Sequence, residues 1–374
     1  MLSTSQEDRG DVRQLLTLLK EPQFVAGKTL DQWDLAIRKT RMSELLGVVA
    51  HRLEAAGVLS DIPQPVLRHL VAAKNLYLHR RQVAFHVLWG LNSVFADAPY
   101  SVVLLKGTAY VAQALEMSFG RLFDDVDIMV PRERIDDAEQ RLQSAGWIST
   151  MPDPYDQRYY REWSHEIPPM EHPQFGVQLD VHHTILPVTG RVRPNPVRLL
   201  SRSMAVPGQP WRVLHPADQV LHASAHLIQD SDCTGRFREL VDIDGLIRCH
   251  RRVPDFWQQL ADSADEQGLG RTLWYALRYC TAWLGTAIPV ETQARLDRHK
   301  PPVIVERAMD ACIARVIFGR HPDARPARSI ESASLLLKFR AQWLRMPLGL
   351  LAYHAAMKSL RAWQKSPSST GADA

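Results

Sequence analysis

The chain has 374 residues, a formal net charge of +4, and 45% hydrophobic against 23% charged residues. That length can bury a substantial core, and the composition is that of a globular chain, which excludes a disordered one. No apolar run reaches the length of a membrane span, since Leu348 to Ala356 is too short and is flanked by Arg345, Pro347 and Lys358, so no membrane partner is expected.

The mild net charge hides an asymmetry. From Lys300 to Lys365 twelve Lys or Arg stand against four Asp or Glu, so the preceding part is near neutral or slightly acidic. A basic C-terminal end allows an anionic partner, nucleic acid included, although the aromatic interleaving of single-strand binders is missing and a solvated basic helix surface is the simpler explanation of the charge. Cys233, Cys249, Cys280 and Cys312 are widely spaced with no Cys-x-x-Cys, and they read as buried thiols of a reducing compartment. Met1 to Gly10 carries no apolar signal region, so the expected location is the cytoplasm.

Residues 1–99 form a helical N-terminal region. Val12, Leu15, Leu16, Leu18 and Leu19 give one apolar stripe, and Leu45, Leu46, Val49, Leu53 and Ala56 give a second that stops at Gly57. After Pro63 and Pro65 a periodic segment runs from Val66 to Asp97, closed by Pro99. Residues 100–191 form an α+β core. Its first strand is the β-branched run ending at Gly107, and a helix follows from Thr108 to Ser118. A second strand starts at Asp125, a helix opened by Pro131 carries Ile135, Ala138, Leu142 and Ala145 on its buried face, and strands are expected at Trp147-Ile148 and Arg158 to Trp163. A mobile hairpin around Pro168-Pro169 and Glu171-His172-Pro173 precedes the strand Val177 to His183. Pro194, Pro196, Pro207 and Pro210 mark a linker or a short irregular segment. Residues 192–365 are then helical, with helices opened by Pro216 and spanning Arg271 to Leu284, Val303 to Phe318 and Leu335 to Trp363, and residues 366–374 form a disordered tail.

The chemistry lies between Val102 and Val130. Side chains alternate along a strand, so Asp125 and Asp127 project from one side while Val126, Ile128 and Val130 project from the other. Two adjacent carboxylates are costly unless a cation lies between them, and a hard divalent ion with oxygen ligands meets that need. On the later strand Asp180 and His182 share a face. Gly107 and Thr108 sit at a helix N-terminus, where unpaired N–H groups and the helix dipole favour phosphate.

This set resembles the DNA polymerase beta nucleotidyltransferase superfamily, in which a Gly-[Gly/Ser] turn and helix hold the triphosphate and three acids hold the metals. More narrowly, Leu105-Lys106-Gly107, Arg121 ahead of Asp125-Val126-Asp127, and Asp180-Val181-His182 look like a bacterial family labelled uncharacterised nucleotidyltransferase. The resemblance covers residues 40–250 by pattern. Thr108 stands where the superfamily has Gly or Ser, and the gap from Gly107 to Asp125 is longer than its common spacing. What the resemblance implies is a mixed β-sheet core with helical regions on either side, and an enzyme that moves a nucleoside monophosphate from an NTP such as ATP to an acceptor with release of pyrophosphate. Two Mg²⁺ ions would be held by Asp125, Asp127 and Asp180, which form the catalytic set. Lys106, Gly107, Thr108 and Arg121 are the candidate nucleotide-binding residues. Arg121 either neutralises phosphate or pairs with Asp124; Lys106 either forms a salt bridge or contacts nucleotide. His182 is expected to hydrogen-bond near the site, and His226 to bond Asp242 as a clamp between helices. The acceptor is a small molecule, a macromolecule or a protein side chain, and neither it nor the oligomeric state follows from the residues.

Two other readings use the same residues. One is a catalytically silent nucleotidyltransferase fold serving as a binding or assembly module. The other is a hydrolase whose metal is held by His222, His226, Asp242 and Asp244, the two histidines being one helical turn apart.

Overall fold

The computed structural model describes residues 10–230, 232–325 and 327–365. The expected tail 366–374 lies outside the described residues. The chain adopts the expected α+β class: a mixed sheet of seven strands among the described residues, with helical regions before and after it. The strands are β1 (Val103–Leu104), β2 (Asp125–Met129), β3 (Ile148–Ser149), β4 (Met170–Glu171), β5 (Gln178–His182), β6 (Met204–Ala205) and β7 (Arg212–Val213), in the order β3-β4-β5-β2-β1-β7-β6.

The central pair positions the site. β2 and β5 run parallel, with Asp125 opposite Gln178 and Asp127 opposite Asp180. Val126, Ile128, Leu179 and Val181 are fully buried, so a slip by one residue would drive both sets of acids into the apolar side. β1 is antiparallel to β2, and Leu105, just after it, donates its N–H to the Asp127 carbonyl. The turn at Gly107 is thereby held beside the acid strand. β4 is antiparallel to β5, and an isolated bridge between Glu166 and His182 carries the incoming segment across the same strand.

One connected apolar core runs from Val12 to Leu337. The N-terminal helices are Gly10–Lys20, Leu30–Met42, Leu46–Ala55 and the 32-residue Gln64–Phe95, the last packing against Leu46–Ala55, Lys106–Ala112 and Ile135–Ser144. A capping box at Thr29 with Gln32 starts the second. On the C-terminal side Pro216–Ala225 packs against Phe237–His250 and Phe256–Glu266.

Several expectations are corrected. The aromatic run before Trp163 is a helix, Pro154–Trp163, not a strand: Asp153 accepts the Tyr155 N–H as its cap and Pro154 occupies the first turn, which outweighs the β propensity of Tyr159, Tyr160 and Trp163. The helix after β1 starts at Lys106 and stops at Ala112, with Ala114 at φ 51° and a short turn of helix at Glu116–Ser118. The proline-rich stretch is neither a linker nor wholly irregular. It forms helix Pro196–Ser201 and the β6–β7 hairpin, which joins the sheet through β1. Leu335 to Trp363 is two helices, Arg328–Arg345 and Leu348–Lys365, because Pro347 cannot continue the first. No helix of the described residues is long and apolar enough to cross a membrane. The four cysteines are free, with Cys233 and Cys280 buried.

Candidate active site

β2 and β5 bring three carboxylates together. One oxygen from each of Asp125, Asp127 and Asp180 lies within 4.8 Å of the other two. Neighbouring parallel strands in register are what produce this, since side chains opposite each other share a face.

The acids do not carry equal charge. Burial and the adjacent Asp127 push the Asp125 carboxyl above its ordinary value. Burial, reinforced by Asp127 and Asp125, pushes Asp180 up to about 7. Burial opposes ionisation of Asp127 as well, yet Lys106 and His182 hold it well below the usual carboxylate range. The Lys106 Nζ donates to Asp127 Oδ1 at 2.7 Å, and His182 Nε2 lies 2.9 Å from the same oxygen. Asp127 is ionised, so it accepts and His182 donates. Burial keeps that ring neutral, and its Nδ1 is buried without a hydrogen-bond partner. Lys106 reaches Asp127 from a backbone at φ 44°, a left-handed conformation costly for a residue with a side chain and found at functional sites more than elsewhere.

Lys106, Gly107, Arg121, Asp125 and Asp180 line one cavity of about 300 Å³. Thr108 does not: it is fully buried, and its Oγ1 has no hydrogen-bond partner. Arg121 donates Nε to Asp242 Oδ2 at 2.9 Å and lies over the Tyr110 ring. Its partner is therefore Asp242 and not Asp124, which is exposed and faces Arg80 at 3.3 Å. The expected clamp between His226 and Asp242 is corrected for the same reason. His226 Nδ1 instead meets Glu239 Oε2 at 3.1 Å, and both His226 and Asp242 line the cavity.

The residues of the hydrolase reading do not gather. Asp244 binds Arg248 and the Thr286 hydroxyl, Asp242 is taken by Arg121, and the only groups of three or more potential metal ligands among the described residues lie elsewhere. The second such group, His165, Glu166 and His182, was not anticipated. Glu166 Oε2 lies 3.5 Å from His182 Nε2, so it shares that ring with Asp127. Arg236, Arg238 and Glu239 also line the cavity unanticipated.

As a donor set, three carboxylates sharing a face suit a hard divalent cation such as Mg²⁺, which takes few protein oxygens and keeps its remaining positions for water and phosphate. Lys106 neutralises only one of the three acids, and the rise at Asp125 and Asp180 is the electrostatic cost that further positive charge would relieve.

No match was found among curated proteins or among solved structures. Residues 29–285 match the model of a protein family described as uncharacterised nucleotidyltransferase, and the chain, matched over more than half its length, belongs to that family of nucleotidyltransferases.

Proposed function

We propose that the protein is a Mg²⁺-dependent enzyme of the DNA polymerase beta nucleotidyltransferase superfamily that moves a nucleoside monophosphate from an NTP to an acceptor hydroxyl, phosphate or protein side chain. The observation that carries this is the meeting of Asp125, Asp127 and Asp180 oxygens within 4.8 Å beside the turn at Gly107. In the reaction an acceptor oxygen forms a bond to the α-phosphorus while the bond to pyrophosphate breaks in line, and the acceptor loses its proton. Asp125, Asp127 and Asp180 are the residues that would hold Mg²⁺, which when bound neutralises charge on the attacking and leaving oxygens. Asp180, buried beside Asp125 and Asp127, is the acid placed to take the acceptor proton. Lys106 and His182 keep Asp127 ionised and fixed in direction.

The silent-module reading has one observation in its favour, since Lys106 already satisfies Asp127 without any other cation. A thermal-shift titration separates the two. With NTP and Mg²⁺ together, the wild type is expected to melt several degrees higher than with either alone, and the double variant Asp125→Ala, Asp127→Ala is expected to lose that gain. Equal responses of the two proteins would favour the module.

A further inference from the structure

We infer that the polyphosphate of the substrate is held by a clamp of arginines, chiefly Arg236 and Arg238, and not by the backbone of the turn at Gly107; this rests on the function proposed above. The turn offers little to an anion. Its helix, Lys106–Ala112, has only seven residues, Thr108 is sealed in the core, and the space that Gly107 leaves open is filled by Arg121. A Cβ at Gly107 would overlap the Arg121 Nη1 and lie 3.1 Å from the Phe123 Cβ. What the turn positions is a guanidinium.

The positive charge of the cavity comes from other elements. Arg236 and Arg238 bracket the start of helix Phe237–His250 and line the same 300 Å³ cavity as Asp125 and Asp180, and Arg345, the last residue of Arg328–Arg345, lines it too. The guanidinium forks are braced from behind. Glu239, almost fully buried, accepts from Arg236 Nη1 at 2.7 Å through one oxygen and faces His226 Nδ1 at 3.1 Å through the other. Burial opposes its charge, but His226 and Arg236 hold its carboxyl down to about 2, so the brace stays anionic. Arg238 donates Nη1 to the Leu122 carbonyl at 3.1 Å, next to Arg121, and pairs with Glu44 at 2.6 Å. A guanidinium has five N–H donors in a planar fork, and the bonds given above for Arg236 and Arg238 all run through Nη1. The remaining donors match phosphate oxygens in pairs, and the geometry suits a diphosphate or triphosphate whose other end lies among the carboxylates.

The test is calorimetric titration of the full chain with inorganic tripolyphosphate, and separately with NTP plus Mg²⁺, for the wild type, Arg236→Gln, Arg238→Gln and Arg236→Lys. Each glutamine variant is expected to bind tripolyphosphate about tenfold more weakly or worse, with Arg236→Lys between it and the wild type. Arg236 is half exposed and pairs with Glu239, which keeps His226 as a second partner, so its replacement is expected to leave the fold intact, which unchanged melting without ligand would verify even if Arg238→Gln unfolds. Wild-type affinity for tripolyphosphate in Arg236→Gln would overturn the clamp, and NTP binding that persists in that variant would leave the proposed function standing. Arginine-dependent binding of tripolyphosphate without any response to NTP and Mg²⁺ would uphold the clamp and overturn the function. Failure of the wild type to bind either would overturn both.

Discussion

Asp180 and Asp127 face each other across two strands and hold their protons very differently. Because the folded chain binds the Asp180 proton more tightly than the unfolded one, with its value raised from 3.8 to about 7, the stability this contributes is complete below the unfolded value and is lost as pH climbs through about 7. A divalent cation needs the ionised form, so its stabilisation should grow over the same interval. Melting with Mg²⁺ at pH 6 and pH 8 is expected to show the larger gain at pH 8, and Asp180→Asn is expected to flatten the difference. Lys106 gives a second prediction. Its removal leaves Asp127 almost fully buried with only a neutral histidine against it, which should cost about 3 kcal/mol in denaturant unfolding of Lys106→Ala. Added Mg²⁺ should return part of that loss, whereas a purely structural ion pair would show no such rescue. The acids themselves were legible in the sequence because strand alternation is local: spacing by two places Asp125 with Asp127, and Asp180 with His182, on shared faces. The partners of Arg121 and His226 were not legible. Asp242 lies 121 positions from Arg121, and no local pattern chooses between it and the neighbouring Asp124.

Helix Leu46–Ala55 and the loop before Arg121 touch backbone to backbone, and this contact sets where the arginine begins. A Cβ at Gly47 would overlap the Gly120 carbonyl oxygen, and one at Gly120, which sits at φ 79°, would overlap the Gly47 carbonyl. Neither neighbour is a flexible side chain, so relief would require moving the helix or the loop. Gly47→Ala is therefore expected to destabilise by about 3 kcal/mol in denaturant unfolding and to weaken the Arg121–Asp242 pair, whereas a surface Gly10→Ala change, which meets nothing within 4 Å, should be near neutral. Elements with strong periodicity were readable at this scale, as in Gln64–Phe95, where Pro63 and Pro65 mark the start. Pro154–Trp163 was misread because its aromatic residues suit a strand in isolation, while the deciding signals were the Asp153 cap and Pro154. The β6–β7 hairpin was hidden by its prolines and by strands only two residues long, which carry no alternation to detect.

At the scale of the molecule, helices from both ends of the chain complete a site whose acids come from the sheet. Glu44 from the N-terminal side and Asp242 from the C-terminal side hold the arginines, and Arg345 brings one cation of the basic C-terminal end to the cavity. That arrangement draws Glu44, Arg121, Arg238 and Asp242 from within the family-matched residues 29–285 and Arg345 from beyond them. It explains why the cavity walls could not be read in sequence order: residues 106, 121, 166, 180, 238 and 345 meet only once the core has closed. The account stands on the three carboxylates acting as one cation site. Its most direct test is equilibrium binding of Mn²⁺, as a spectroscopic substitute for Mg²⁺, followed by electron paramagnetic resonance at pH 8 in the wild type and in Asp125→Asn and Asp180→Asn. Saturable binding by the wild type that each single substitution weakens at least tenfold is the predicted result, and binding that is absent, or indifferent to both substitutions, would contradict it.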